Sequence, residues 1–156
     1  MAQQIPWPLI RLADLYLGYA ECCVETGDLA TAREYVNKVR ERAGIPNVED
    51  AWANYSTNPN NPNTQDGLRE IVRNERMNEM YLENQNFWDM RRWLLAEKYF
   101  NVKAQGMNID ATTIEEFANP TEVIFERKFT SPANYLMPIP TDDINRNTHI
   151  VQNPGY

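Results

Sequence analysis

The sequence predicts an all-α chain of helix pairs, with long irregular loops and an extended C-terminal tail. Three observations carry this. Apolar residues between positions 9 and 44 recur at three- and four-residue steps, interrupted once by a glycine. From Leu68 to Phe100 there is neither proline nor glycine, and the stretch holds 12 of the 37 formal charges, balanced in sign. Proline and asparagine instead crowd residues 47–66 and the tail, where helices cannot continue. The 156 residues suffice for a single domain, 1–156, with a core drawn from its 42% hydrophobic residues.

The first helix pair is expected over residues 9–44. Residues 1–10 hold Pro6 and Pro8 and read as extended, with Trp7 free to pack on the first helix. A helix then begins at Leu9, and Leu9, Leu12, Ala13, Tyr16, Tyr19, Ala20 and Cys23 form one apolar face. Adjacent Cys22 and Cys23 point about 100° apart on a helix, so they read as two buried thiols rather than a disulfide. Gly27 stops the helix and Asp28 caps the next, whose inward residues are Leu29, Ala32, Tyr35, Val36 and Val39. Gly44 and Pro46 close it. Small Ala20 and Gly27 at the crossing fit a tetratricopeptide-like pair. A second pair over 67–100 follows if Asn84 is matched to Gly27, which puts Trp93 and Ala96 where Val36 and Val39 stand.

Within that second pair a turn is expected near Asn84, Gln85 and Asn86. Leu68, Ile71, Val72, Glu75 and Glu79 share one helical face, so an apolar stripe runs directly into carboxylates. The expectation is an ion-pair network of Glu75, Arg76, Glu79, Asp89, Arg91 and Arg92, in which the first helix's carboxylates meet the second helix's arginines. Trp88 and Trp93 are read as core. Residues 47–66 are expected to be a long loop, broken by Pro59 and Pro62. Residues 101–156 read as irregular or extended: a capping box at Thr113 and Glu116, a strand-like run 122–129, and one helical turn at 142–147.

Composition excludes several functions. The net charge of −7 divides as −1, −3, 0 and −3 over residues 1–46, 47–66, 67–100 and 101–156. With no basic stripe, nucleic acid is not an expected partner. No apolar run reaches the roughly 20 residues of a spanning helix, and the first ten residues lack the features of a signal peptide. His149 is the single histidine, in a tail expected to be solvent-exposed, so no metal site is expected. No phosphate loop, Ser/His/Asp order or CxxC motif occurs, and no cofactor is expected.

Three ordered stretches carry a resemblance. The first ends in Asn37, Arg40, Arg42, Ala43 and Gly44. The second contains Glu75, Arg76, Glu79, Glu83, Trp88, Asp89, Arg91, Arg92 and Trp93. The third is the tail with Pro138, Ile139, Pro140, Gln152, Asn153, Pro154, Gly155 and Tyr156. Together they resemble the C-terminal part of SusD/RagB-type proteins, the surface glycan-binding lipoproteins of Bacteroidota. Asn84 stands where the family usually has glycine, and Asn86 where it often has arginine; asparagine tolerates the left-handed turn. Full members are longer and begin with a lipoprotein signal, so the chain is expected to be a C-terminal piece. The resemblance implies a helical scaffold at the outer-membrane surface. It would capture oligosaccharide, without catalysis, for a SusC-like TonB-dependent transporter.

Two readings of function follow. In the first, the chain binds glycan. Trp52 and Tyr55, with Asn54, Asn58, Asn60 and Asn61 nearby, offer rings for a sugar's CH face and amides for its hydroxyls. The plainer account of Trp52 is an anchor tucked into the helix pair. In the second, the helix pairs dock the transporter or the missing N-terminal half without binding sugar. A glycosidase would need two carboxyls about 5–9.5 Å apart, one with a raised pKa in apolar surroundings. Here the carboxylates stand among guanidinium groups, which favours ion pairs over catalysis.

Overall fold

The computed structural model describes residues 10–119, 121–122 and 127–156. The extended start around Pro6 and Pro8, the packing of Trp7, the helix start at Leu9 and the middle of the 122–129 run lie outside the described residues. The described residues are all-α in class, and their β structure is one short antiparallel pair. They form two compact units, one ending at Asn86 and one running from Phe87 to Tyr156.

The first unit is built on α1 (Leu12–Thr26), α2 (Leu29–Ala43), α3 (Val48–Tyr55), a 3-10 turn at Asn61–Asn63, and α4 (Gln65–Glu79). Local chemistry sets its boundaries. Gly27 is left-handed at φ 84°, and the Asp28 N–H returns to the Cys23 carbonyl at 2.9 Å. The Asp28 carboxylate then accepts from the Thr31 N–H at 3.1 Å, capping α2. Gly44, at φ 72°, ends α2 the same way, with the Ile45 N–H on the Arg40 carbonyl. The Thr64 hydroxyl caps α4 by accepting from the Gly67 N–H at 3.1 Å.

Its core joins Leu17, Ala20 and Val24 of α1 to Ala32, Val36 and Val39 of α2. Val48 and the α4 residues Leu68, Ile71 and Val72 complete it, with Tyr16, Leu29, Tyr35 and Trp52 packed around the edge. Two corrections concern α1. Leu17 and Val24 are fully buried, whereas Leu12 and Tyr19, expected inside, are exposed. The expected stripe was rotated because α1 is apolar over most of its circumference, and periodicity alone does not choose the inner face. Cys23 is buried, but Cys22, one step round the helix, is exposed, and both are free thiols.

A third correction concerns residues 47–66, which were expected to be loop. They contain α3, because the prolines that break helices begin only at Pro59 and the start of α3 is fixed from outside. The Asn37 side chain on α2 accepts from the Val48 N–H at 2.8 Å and donates to Glu49 at 2.9 Å. Arg33 also reaches Glu49, at 3.0 Å, and Val48 is fully buried. Beyond α4 the chain turns with Leu82 and Asn84 both left-handed, at φ 66° and 62°. The asparagine fits that conformation, as expected.

The second unit holds α5 (Gln85–Arg92, of which the unit takes Phe87 onward), α6 (Ala96–Phe100), α7 (Ile114–Ala118), a 3-10 turn at Ala133–Tyr135 and α8 (Thr141–Arg146). Gln105–Gly106 pairs antiparallel with Thr121–Glu122. The helix expected to run to Phe100 breaks after Arg92. Leu94 is left-handed at φ 55°, and the Leu95 N–H returns to the Met90 carbonyl at 2.9 Å, a helix stop made without glycine. Trp93 and Ala96, matched above to Val36 and Val39, are therefore on different helices. Trp93 is buried as expected, but Trp88 is exposed. Phe87 carries the aromatic packing instead, through Phe100 to Phe129 and Tyr135, with neighbouring ring centroids 4.7–6.2 Å apart.

Side-chain amides hold the tail. The Gln152 amide accepts from the Ile139 N–H and donates to the Ile139 carbonyl, both at 2.9 Å. Asn153 donates to the Met137 carbonyl at 2.6 Å, and the Tyr156 hydroxyl to the Leu136 carbonyl at 3.1 Å. Asn101 clamps Phe129 in the same two-way manner. The Thr113 hydroxyl accepts from the Glu116 N–H as expected, while the Glu116 carboxylate reaches back one residue further, to Thr112.

Candidate functional site

The residues expected to contact sugar sit on α3 and the turn after it, and they divide by burial. Trp52 is half-buried, packed against the core with the Arg40 guanidinium carbon 5.9 Å from its ring. It is an anchor. Tyr55, at the last position of α3, is 83% exposed. Asn54 is exposed and ties back to the Asp50 carbonyl at 2.8 Å. Asn58 is exposed, and its N–H donates to the Ser56 hydroxyl at 3.0 Å. The turn is held at its base, where Pro62 is buried and its carbonyl accepts from Arg33 at 2.9 Å. A fixed platform thus presents one phenol ring and two amides to solvent.

Beside this platform, the outer face of α2 and the start of α3 enclose an open groove of about 650 Å³. Glu34, Asn37, Lys38, Glu41, Ile45, Pro46, Asn47 and Asp50 line it. Asn54 lies one turn beyond Asp50 and shares its stripe on α3. Trp52 and Tyr55 are not among the lining residues. The groove therefore meets a ligand with carboxylates, amides and one ammonium, and with no aromatic face.

The charged residues build the frame under this surface. Glu75 pairs with Arg40, whose Nε also donates to the Pro46 carbonyl at 2.7 Å. Glu79 receives Arg11 at 2.7 Å and Arg42 at 2.6 Å, and Arg11 continues to Glu83 at 2.8 Å. Buried Arg76 reaches Asp14 at 2.6 Å. The partners of Glu75 and Glu79 thus lie on the first helix pair, not among the arginines of the following helix. In the second unit Arg92 bonds buried Asp89 at 2.8 Å. Arg91 donates to the Tyr135 carbonyl at 3.1 Å, with its guanidinium carbon 4.3 Å from the Phe87 ring centroid.

Each carboxylate shift has a local cause. Burial alone would raise the Glu79 pKa, but hydrogen bonds from Arg42 and Arg11 outweigh it and hold the carboxyl below its ordinary value. Burial likewise opposes the lowering of Glu49, which is achieved by the hydrogen bond from Asn37 and the Arg33 charge. These groups are ionised partners, not raised-pKa acids poised for proton transfer. Among the described residues no group of three or more His, Cys, Asp or Glu could hold a metal. His149 is exposed.

The Asn37–Gly44 stretch now has a physical account residue by residue. Asn37 fixes the start of α3, Arg40 ties Glu75 to the Pro46 carbonyl, Arg42 reaches Glu79, and Gly44 turns the chain left-handed. Its Asn-x-x-Arg-x-Arg-Ala-Gly spacing, on one helix face and its end, was the available sign that these residues work together. The profile of the SusD family matches residues 1–156. The chain belongs to the SusD family. Its relatives include a SusD-like protein of Bacteroides ovatus, 34% identical over 69% of this chain and 18% of that one. SusD-like protein P25 of Formosa agariphila is 39% identical over 54% of this chain and 15% of its own length. Among solved structures, BT4246 superposes with TM-score 0.77 at 36% identity, covering 99% of this chain and 24% of that one. A SusD-like protein of Bacteroides fragilis gives 0.70 at 31%, covering 96% and 26%. This SusD-family chain thus spans about a quarter, or less, of the relatives it matches.

Proposed function

We propose that the chain is part of a non-catalytic glycan-binding component of an outer-membrane uptake system, presenting oligosaccharide to a TonB-dependent transporter at the cell surface. Family membership supports this, and so does the chemistry of the α3 platform. The observation that carries it is Tyr55, a phenol ring left 83% exposed on a helix whose start is fixed by Asn37 and Arg33. Its ring suits the CH face of a pyranose, and Asn54 and Asn58 suit the hydroxyls. The test is isothermal titration with a panel of neutral oligosaccharides against the wild-type chain, Tyr55→Ala and Asn54→Ala. Tyr55→Ala is expected to weaken binding about tenfold, equivalent to about 1.4 kcal/mol. Trp52→Ala is a poor probe, because Trp52 packs on the core. Unchanged binding in both variants would remove the α3 platform from the site.

A second reading, a helical scaffold that docks a protein partner, has its own observation. Leu12, Leu15 and Tyr19 of α1 stand exposed at helical spacing. Monomeric helices seldom leave such a stripe uncovered.

A further inference from the structure

This inference rests on the docking reading and names the partner's chemistry. A helix packed on one side carries an apolar stripe of ≳100°. α1 exceeds that. Its buried side is Ala13, Leu17, Ala20 and Val24. Leu12, Leu15, Tyr19 and Cys22 follow at i, i+3, i+7 and i+10 on a second stripe, displaced from the first around the helix. The two stripes and the residues between them occupy about 220° of the circumference, at 3.6 residues per turn. Asp14, Glu21 and Glu25, with Gly18, fill the remainder. The second stripe faces solvent: Leu12 is 61% exposed, Leu15 58% and Tyr19 49%, and Cys22 is exposed as well. It extends about 15 Å along the axis.

At its N-terminal end the stripe opens into a cavity of about 360 Å³ between α1 and α2. The floor is Leu12, Ala13, Tyr16 and Val39, and every other lining residue is a cation: Arg11, Lys38 and Arg42. Their commitments differ. Arg11 is engaged by Glu79, Glu83 and the Glu79 carbonyl. Arg42 bonds Glu79 through one terminal nitrogen and is otherwise exposed. The Lys38 ammonium stands 3.7 Å from the Tyr35 ring centroid and pairs with exposed Glu34, an exchangeable surface contact. Arg42 and Lys38 therefore have donors for an incoming carboxylate, directly beside an apolar floor.

We propose that this face of α1 docks an amphipathic α-helix of a partner protein. The partner's apolar side lies on Leu12, Leu15 and Tyr19, and an acidic residue near one end enters the Arg42–Lys38 cavity. The spacing of the stripe suits helix-in-groove recognition. Charge complementarity selects the sign: the chain carries −7 overall, so an acidic partner gains here from cations that are scarce elsewhere on the molecule.

The test uses fluorescence anisotropy with a labelled, synthetic 15-residue amphipathic helix. Its leucines stand at i, i+3, i+4 and i+7, and it carries two glutamates in its final turn. A second peptide has those glutamates replaced by glutamine, and a third is scrambled. The acidic helix is expected to bind at least fivefold tighter than the glutamine helix and to lose at least tenfold against Leu15→Ser. Leu15 is exposed, so that variant leaves the core intact, and circular dichroism checks it. Lys38→Gln and Arg42→Gln should each erase the preference for glutamate while leaving residual binding of both helices. Equal affinity for the two helices would overturn the acidic partner but leave the docking reading standing. Failure of any helix to bind better than the scrambled peptide would remove the docking reading as well. Self-association through the stripe, lost in Leu15→Ser during sedimentation, would assign the face to a second copy and overturn the proposal. So would displacement of the peptide by a neutral oligosaccharide.

Discussion

Replacing Glu75 by alanine tests the frame most directly. Glu75 is 15% exposed and its partner Arg40 is 9% exposed, so the pair is nearly dry. Removing the carboxylate leaves Arg40 with the Pro46 carbonyl and the edge of Trp52. Breaking a fully buried pair from one side costs about 3–5 kcal/mol, because the surviving charge has no compensation. With about a tenth of each side chain still wetted, the expected loss is about 2–4 kcal/mol. In urea, with a slope of about 1–3 kcal/mol per molar, the midpoint should fall by about 1–2 M. Far-UV circular dichroism reads this, because α1, α2 and α4, at 15 residues each, dominate the helical signal. Removing both charges separates the two possible causes. Glu75→Leu with Arg40→Met leaves no buried charge and sacrifices only the bond to Pro46. It should therefore lie within about 1 kcal/mol of wild type. A loss under about 0.5 kcal/mol for Glu75→Ala, the level of an ordinary surface change, would refute the argument. So would a double variant as unstable as the single one.

Three further outcomes follow from other parts of the chain. Glu79 and Glu25 have lowered pKa values, Glu79 through Arg42 and Arg11 against the opposing effect of burial, Glu25 chiefly through its hydrogen bond from Arg69. Their stabilisation is therefore complete above the ordinary glutamate pKa of about 4.3 and lost as pH falls through the lower folded-state values; urea midpoints from pH 6 to 3 should drop, and the drop should be shallower in Glu79→Gln. Gly67→Ala should destabilise despite alanine's better helix propensity, because the added Cβ would lie 2.4 Å from the Asn61 carbonyl oxygen; a thermal midpoint equal to or above wild type would contradict this. Gly155 stands at φ 96°, and an added Cβ would meet that of Ala133 at 2.8 Å. Gly155→Ala should cost about 1–3 kcal/mol, seen as faster amide exchange at Tyr156 and Ile139 while α1 and α2 keep their protection.

What could be read in advance was what is decided locally. Gly27, Asp28, Gly44 and the Thr113 cap each act within a few residues, and each behaves as its neighbours dictate. The helix stop at Leu94 is local too, but it uses a residue with no left-handed preference, so nothing in the composition marks it. α3 was hidden for a different reason. Its own residues, VEDAWANY, have modest helical character, and its start is fixed by an amide 11 positions upstream. Within the candidate platform, the exposure of Tyr55 and the anchoring of Trp52 depend on which side of α3 meets the core, and eight residues do not determine that.

The ion pairs show the limit most clearly. A segment of zero net charge establishes that its charges have partners without saying where those partners are. Arg40 and Glu75 are 35 positions apart, and Arg11 and Glu79 are 68 apart. Coulomb attraction is indifferent to sequence distance, so the pairing is chosen by which helix faces approach, and that choice belongs to the apolar core. The same core leaves α1 with its second stripe uncovered: one face of the helix is used in building the unit, and the other remains available to a partner.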